Sequence, residues 1–378
     1  MRIGNVAGAK ENATHASPIM INMVNLPKLS INLPQNARIL IIRRDNIGDL
    51  ACTTPAFAAL RKHYPDAEIG ALVNSYNAEV LRGNPNIDKI FVYQKLKHAG
   101  GMANQFKALS DRLKLIAQLR RWKADATILA KSSYDPRGLS FARQIGAKNI
   151  IGFVPDDLSQ ARSLPDIRLK TAVFTEVHEV EAVNQLLAPL NITNALGPLQ
   201  AFPDGKAVAK IKQHLPEAQH RIALHISARE PERRWGNANF IALTQHILQT
   251  QPNTQILLFW SPGKADDPLH PGDDEAAAEL MQALQSERLI PMPTQNLTEL
   301  IAALSLCNLF IGTDGGAMHL AVALNKKVLS MFENKPDKLN HWYPWQVTNE
   351  IVCSADPAHS EISSISQVQV FAALASLS

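Results

Sequence analysis

The sequence predicts an α/β protein made of two consecutive βα domains that face each other across a cleft. Three observations carry this. Short apolar runs alternate with stretches of helical spacing along most of the chain. The rhythm pauses around Pro198 and Pro203 and restarts at Arg221 to Ile226. Each half also holds a glycine-bearing turn that leads from a strand into a helix: RDNIGDL near the start and IGTDGGAMHL near the end. At 378 residues the chain is long for one core and comfortable for two.

Composition narrows the class. Hydrophobic residues make up 46% and charged residues 19%, as in globular proteins. Cys52, Cys307 and Cys353 show no CxxC spacing, so neither a disulfide framework nor a cysteine zinc site is suggested. No apolar run reaches the roughly 18 residues a membrane span needs. Glu11, Asn12 and His15 interrupt any secretory h-region, and residues 1–36 read as a loosely ordered extension. The formal charge of +4 permits anionic ligands or an anionic surface without requiring them.

In the first half, residues 37–195, Arg38 to Arg43 is a compact strand that runs into a turn at Gly48 and a helix from Ala51 to Tyr64. Pro55 fits that helix only within its first turn. Asp49 then stands at the carboxyl edge of the sheet. It reads either as an N-cap or as a general base on a substrate hydroxyl. Arg44, Asn46, Thr53 and Thr54 share this loop, and the threonines can cap the helix or bind a phosphate. GxGxxG and GxxxxGK[ST] are both absent. Strands follow at Glu68 to Val73 and Lys89 to Tyr93, with a short helix from Tyr76 to Leu81 between them. A helix over 103–121 carries Phe106, Leu109, Leu113 and Ile116 at spacings of three and four, which predicts its buried face.

The surroundings of that helix are strongly basic: Lys95, Lys97, Lys107, Arg112, Lys114, Arg120, Arg121 and Lys123 stand against Asp111. It reads as a solvated face or as a patch for anionic lipid or a phosphorylated glycolipid. Nothing in it supports nucleic acid, since interleaved aromatics are lacking. Asp125 to Ala130 is a fourth strand, a helix spans Pro136 to Ile145, and Asn149 to Gly152 is a fifth strand. Ser132, Ser133, Tyr134 and Arg137 fall where an acceptor would lie. Residues 154–175 are too mixed to place, and Glu176 to Leu190 reads as a helix with His178 toward the cleft.

After a linker at 196–205, residues 206–358 form the second βα unit. The loop SAREPERRWGNANF follows its first strand. Arg229, Arg233 and Arg234 are costly to gather at a sheet edge unless an anion sits among them, and guanidinium forks suit a diphosphate. A solvated loop anchored by Trp235 is the other reading. Further elements are a helix at Asn237 to Gln249, a strand at Gln255 to Trp260, and a proline-rich loop over the cleft. Next come helices at Glu275 to Leu284 and Leu297 to Leu304 around a short strand at Arg288 to Ile290. Leu309 to Ile311 then leads through Gly312, Thr313, Asp314, Gly315 and Gly316 into a helix bearing His319. A helix start of this kind offers N–H groups and a positive dipole end to an anion. Asp314 can accept from sugar hydroxyls. Lys327 to Phe332 is the last strand. The aromatics of ENKPDKLNHWYPW suit base stacking or plugging of the sheet end, and residues 359–378 form a terminal helix. No histidine or cysteine pair has metal-ligand spacing and no GxSxG elbow occurs.

IIRRDNIGDLACTTPAFAALRKHYPDAEI, SAREPERRWGNANF and FIGTDGGAMHLAVALNKKVLSMF together resemble the bacterial heptosyltransferase family, glycosyltransferase family 9, over residues 37–350. Its members build lipopolysaccharide or lipooligosaccharide core from nucleotide-activated sugars. The resemblance implies a GT-B fold, two Rossmann-like domains with the acceptor in the first and the donor in the second. It implies Asp49 as base, Asp314 on the donor sugar, and Gly315, Gly316 and His319 at the donor phosphate. It further implies metal-independent inverting transfer without a cofactor, from an ADP- or UDP-linked sugar to a phosphorylated glycolipid. A cytoplasmic protein is expected, with peripheral contact at the anionic inner-membrane surface as one reading of the basic helix. Two departures bear on the donor: Arg233 stands where the family has lysine, and Gly315 where it has Ser or Thr. They leave open a hexosyl- or N-acetylhexosaminyltransferase. An epimerase or hydrolase of nucleotide sugars and a non-catalytic glycan-binding protein are the remaining alternatives.

Overall fold

The computed structural model describes residues 30–94, 102–161, 163–170, 176–267, 271–356 and 358–377. The first half is a parallel sheet of β1 (Arg38–Ile42), β2 (Glu68–Asn74), β3 (Lys89–Tyr93), β4 (Ala126–Leu129), β5 (Ile150–Val154) and β6 (Ile167–Lys170), in the order β3-β2-β1-β4-β5-β6. The second sheet comprises β7 (His220–His225), β8 (Thr254–Phe259), β9 (Leu289–Met292), β10 (Leu309–Thr313), β11 (Lys327–Phe332) and β12 (Asn349–Cys353). Its order, β9-β8-β7-β10-β11-β12, repeats the first sheet six strands later. Central strands such as β1 and β10 are buried on both faces, which is why they read as unbroken apolar runs.

Helices cover the sheets: α1 (Ile47–His63), α2 (Met102–Trp122), α3 (Pro136–Gln144) and α4 (Glu179–Gln185) in the first half. In the second are α5 (Gly205–Lys212), α6 (Asn237–Thr250), α7 (Asp274–Leu284), α8 (Leu297–Ser305), α9 (Gly316–Ala323), α10 (Pro336–Trp342) and α11 (Gln367–Leu377). Pro55 sits nine positions into α1, well past its first turn. Its missing N–H is matched by Thr hydroxyls turned onto the helix backbone, Thr53 Oγ1 to Asp49 O at 2.8 Å and Thr54 Oγ1 to Ala51 O at 2.6 Å.

The two halves are joined along one side of the cleft. A single apolar cluster runs from Ile39, Leu50 and Phe57 of the first half to Met318, Leu320 and Val322 of the second. The connection between them is tied down rather than loose: Gln200 N–H donates to Thr54 Oγ1 (2.9 Å) and Ala201 N–H to Ala323 O (3.0 Å). Residues after β11 fold back on the start of this connection, where Trp345 Nε1 donates to Gly197 O (3.1 Å) and Gln346 Nε2 to Leu196 O (3.1 Å).

Several expectations are corrected. The buried stripe of α2 is Leu115, Leu119 and Trp122, whereas Leu109 and Leu113 are exposed at 49% and 59%. The helix carries two apolar stripes at the same spacing, and the aromatic end, against Phe91, is the one that packs. Phe106 and Lys107 lie where side chains are not described, and Lys95 and Lys97 lie outside the described residues. The short helix before β3 is a 3-10 turn at Ala78–Leu81. The helix expected over 176–190 stops at Gln185, followed by a 3-10 turn that ends at left-handed Asn191. The strands β6 and β12 and the helices α5 and α10 were not anticipated.

Candidate active site

The two sequence-predicted turns meet. α1 starts at the carboxyl end of β1 and α9 at the carboxyl end of β10, and the starts of both line a cleft of about 870 Å³ between the sheets. Each strand neighbours the point where its sheet reverses order, β1 beside β4 and β10 beside β7, the place where open α/β sheets bind ligands.

Asp49 is the third residue of α1. Its Oδ2 accepts from the Asn46 backbone N–H at 3.0 Å, and its Oδ1 accepts from Arg43 Nη2 at 2.7 Å. Burial alone raises its pKa, but the Arg43 guanidinium and the Asn46 hydrogen bonds outweigh this and hold the carboxyl below the ordinary carboxylate value. The side chain remains 16% exposed, toward the cleft. Arg43 itself is buried and faces Asp49, Glu179 at 2.6 Å and Asp45 at 3.4 Å, with a further bond to the Ala130 carbonyl.

At the second turn Gly315 caps α9 without any side-chain hydrogen bond. Its φ of 169° is ordinary extended backbone, so the glycines here are not needed for turning. They are needed for space. A Cβ on Gly48 would lie 2.6 Å from His319 Cδ2, and one on Gly316 would lie 3.1 Å from Ile47 Cβ. Side chains at these positions would push the two halves apart. Gly312 likewise gives way to the Phe310 ring and the His225 carbonyl.

His319 is held between the halves, with Nδ1 3.6 Å from Cys52 Sγ and Nε2 3.9 Å from Asp314 Oδ1. Burial lowers its pKa against the pull of Asp314, Asp49 and Glu179. Burial raises the pKa of Asp314, and His319, Arg233 and Lys338 offset this only in part.

The arginine loop divides. Arg233 points to Asp314 (3.4 Å) and Glu333 (3.3 Å), Arg234 pairs with Asp273 (2.6 Å), and Arg229 is exposed along the cleft. Protein carboxylates therefore meet part of the charge that the sequence left for a ligand. Trp235 is the buried anchor, its Nε1 donating to Ile365 O at 2.9 Å. Asn46, Thr313, Asp314, Gly315, Gly316 and His319 also line the cleft.

Other expected site residues lie elsewhere. Thr53 is buried within α1, its hydroxyl spent on the backbone, so it does not reach the cleft. Arg44 turns to Asp135 (3.5 Å) and lies 5.8 Å over the Tyr93 ring. Ser133 and Arg137, after β4, are outside the cleft lining, and Arg137 is exposed. His178 caps α4, accepting from Val180 N–H and facing Tyr343 O at 3.0 Å, and it stacks on Trp345. Burial drops its pKa to about 3. Tyr343 and Trp345 thus plug the junction, while Trp342 lines the cleft edge-on to His319. Lys338 also lines the cleft and went unmarked in sequence because a KPDKLNHW stretch reads as loop. Among the described residues no group of three or more His, Cys, Asp or Glu is placed to hold a metal ion.

Two like-ordered parallel sheets facing each other across a shared cleft, each with a helix start at its switch point, are the architecture of the GT-B fold. Comparison with known proteins agrees. The chain belongs to glycosyltransferase family 9 (heptosyltransferase), whose model matches residues 112–369. It is 24% identical over 317 residues to lipopolysaccharide heptosyltransferase 3 of Escherichia coli, covering 79% of this chain and 83% of that protein. Lipopolysaccharide heptosyltransferase 1 of Campylobacter coli is 22% identical over 80% of this chain and 86% of its own length. Among solved structures, a family 9 glycosyltransferase of Veillonella parvula superposes with a TM-score of 0.74 at 20% identity, over 93% of this chain and 98% of that one. The E. coli heptosyltransferase WaaC with ADP gives 0.68 at 15% identity, over 90% and 100%. No helix among the described residues is long and apolar enough to cross a membrane.

Proposed function

We propose that this protein transfers heptose, or another hexose, from an ADP- or UDP-linked donor to a phosphorylated core acceptor of lipopolysaccharide or lipooligosaccharide, with inversion. The observation that carries the reading is the apposition of Asp49 and the α9 start across one cleft. Asp49 accepts the proton of the acceptor hydroxyl as that oxygen bonds to C1 of the sugar. The C1–oxygen bond to the diphosphate breaks on the opposite side, and the leaving group gathers negative charge. The N–H groups opening α9, with Arg233, Arg229 and Lys338, stabilise that charge, so the reaction is proposed to be metal-independent.

The donor belongs to the second half, 206–358, where Thr313, Asp314, Gly315, Gly316 and His319 gather, and the acceptor to the first, 37–195. WaaC has been solved with ADP and with an ADP-2-deoxy-2-fluoro heptose, which favours an adenine donor. Peripheral contact at the cytoplasmic face of the inner membrane is part of the proposal, since Leu109 and Leu113 are exposed on a helix that also carries Lys114, Arg120 and Arg121.

The test is acceptor-dependent release of nucleoside diphosphate from a panel of ADP- and UDP-sugars, with glycolipid extract as acceptor. One donor should support release, and Asp49→Asn should cut its kcat about 10²- to 10⁴-fold, the usual share of a general base. Release that persists undiminished in Asp49→Asn would remove Asp49 as the base. Release without acceptor would favour a hydrolase.

A further inference from the structure

The most densely charged place in the interior lies beneath the cleft, where elements of both halves meet. Arg43, at the end of β1, is 2% exposed and Glu179, in the first turn of α4, is fully buried. Glu179 Oε1 lies 2.6 Å from Arg43 Nη1, and its Oε2 lies 2.7 Å from Nε2 of His341 on α10. The other nitrogen of His341, Nδ1, is 2.6 Å from the Val177 carbonyl.

Both nitrogens of this buried ring therefore face acceptors. A neutral imidazole carries one N–H and can satisfy only one of them, whereas the imidazolium form donates to both. In that form a continuous line of charge runs His341, Glu179, Arg43, Asp49, alternating positive and negative. Two cations then match the carboxylates of Glu179 and Asp49, and Asp45, the third carboxylate on Arg43, is 36% exposed and screened by water.

We infer that Glu179 and His341 are positioning residues for Asp49: acting through Arg43, they fix the carboxylate's orientation and charge balance from the junction between the halves. The inference rests on Asp49 being the base of the proposed reaction, although its test does not. Arg43 serves two carboxylates with one guanidinium, so whatever holds Glu179 decides how much of Arg43 is left for Asp49. While His341 carries charge, Glu179 is shared between two cations and Arg43 faces Asp49 fully. If that charge is lost, Glu179 leans on Arg43 alone and Asp49 holds its proton more tightly.

The line also reaches the donor side. Lys338 and Trp342, one turn before and one residue after His341, both line the cleft, so α10 carries cleft groups and the relay on the same seven residues. A donor that presses on α10 thus acts on the support of the base.

Among the described residues, Glu179 and His178 of α4 face His341, and Glu179 also acts on Cys52 of α1 and His319 of α9. Asp49 meets Arg43 and Asp45 from the β1 end, Cys52 from its own helix and His319 from α9.

The test is a carbon-13 titration of the Asp49 side-chain carboxyl in the full-length protein, the resonance being assigned by its loss in Asp49→Asn. His341→Gln should raise the midpoint by about half a pH unit or more, as removal of a relayed charge does. His341→Lys, which keeps the charge, should bring it back. In a Glu179→Gln background His341→Gln should no longer move it. Glu179→Gln alone should lower the midpoint, because Arg43 is then left to Asp49. This last comparison carries the test if a His341 variant loses cooperative unfolding.

An unmoved midpoint in His341→Gln, or the same shift with and without Glu179, overturns the relay. A purely structural role for the pair would cost stability and leave the midpoint in place. If the midpoint moves as expected while sugar transfer proves independent of Asp49, the relay stands and the proposed reaction falls.

Discussion

The two helix starts that meet in the cleft arise from sheets of the same strand order, yet they are finished in opposite ways. At α1 the chain fills its own N-terminus: Asp49 folds back to accept from Asn46 N–H, and Arg43 clamps its other oxygen. At α9 the cap is Gly315, which brings no side chain. The first start is closed and carries fixed negative charge, the second is open and presents N–H groups and dipole to an incoming anion. The two differ in strand as well, since α1 follows the first strand of its sheet and α9 the fourth of its own. One topology thus supplies either a fixed carboxylate or an open helix start at its switch point, depending on which strand end is dressed and with what.

The glycines offer the sharpest way to break that comparison. Gly48→Ala forces a Cβ into the buried His319 ring, so it should destabilise the fold by about 1–3 kcal/mol and reduce kcat/KM about tenfold or more. Gly315→Ala meets nothing closer than 3.9 Å, at an extended φ, and should change fold stability by no more than about 0.5 kcal/mol. Thermal unfolding and steady-state rates of the two variants decide the matter. Equal losses would mean that the helix starts matter for their turns rather than for their approach.

A smaller effect separates the two carboxylates. The folded-state pKa of Asp49 is depressed, so its ionised form stabilises the fold above the ordinary carboxylate value, and that contribution is lost as pH falls through the depressed one. The pKa of Asp314 is raised, so its ionised form costs stability at neutral pH, and the cost disappears as pH falls through the raised value. Asp49→Asn should therefore lower Tm at neutral pH and Asp314→Asn should raise it, with both differences shrinking in acid. Shifts of the same sign would contradict the assigned environments.

How much of this was legible in the sequence follows from burial. Strands covered on both faces, such as β1, β2 and β11, are unbroken apolar runs and announce themselves. Of the edge strands, β3 and β9 still carry enough apolar residues to be read, whereas β6, IRLK, and β12, NEIVC, are half polar because one side is wet. α10 hides for another reason, being seven residues long, opened by Pro336 and full of polar groups that serve the cleft and the junction. The turns at Asp49 and Asp314 were visible because each places a carboxylate and glycines at a strand end. The meaning of those glycines was not, since close approach between segments about 270 residues apart leaves no local trace. Arg43 reads in the sequence only as the arginine that ends the first strand, and only the fold brings Glu179 and His341 to it.

The central claim is that Asp49 does chemistry while the α9 side holds the donor, and binding of nucleoside diphosphate tests it most directly. Calorimetric titration of ADP and UDP into wild type, Asp49→Asn and Arg233→Ala separates the two roles. The account predicts that Asp49→Asn binds within about twofold of wild type and that Arg233→Ala binds about tenfold more weakly or worse, the usual loss of a charge-assisted contact. Loss of binding in Asp49→Asn equal to that in Arg233→Ala, or full binding in Arg233→Ala, would contradict it.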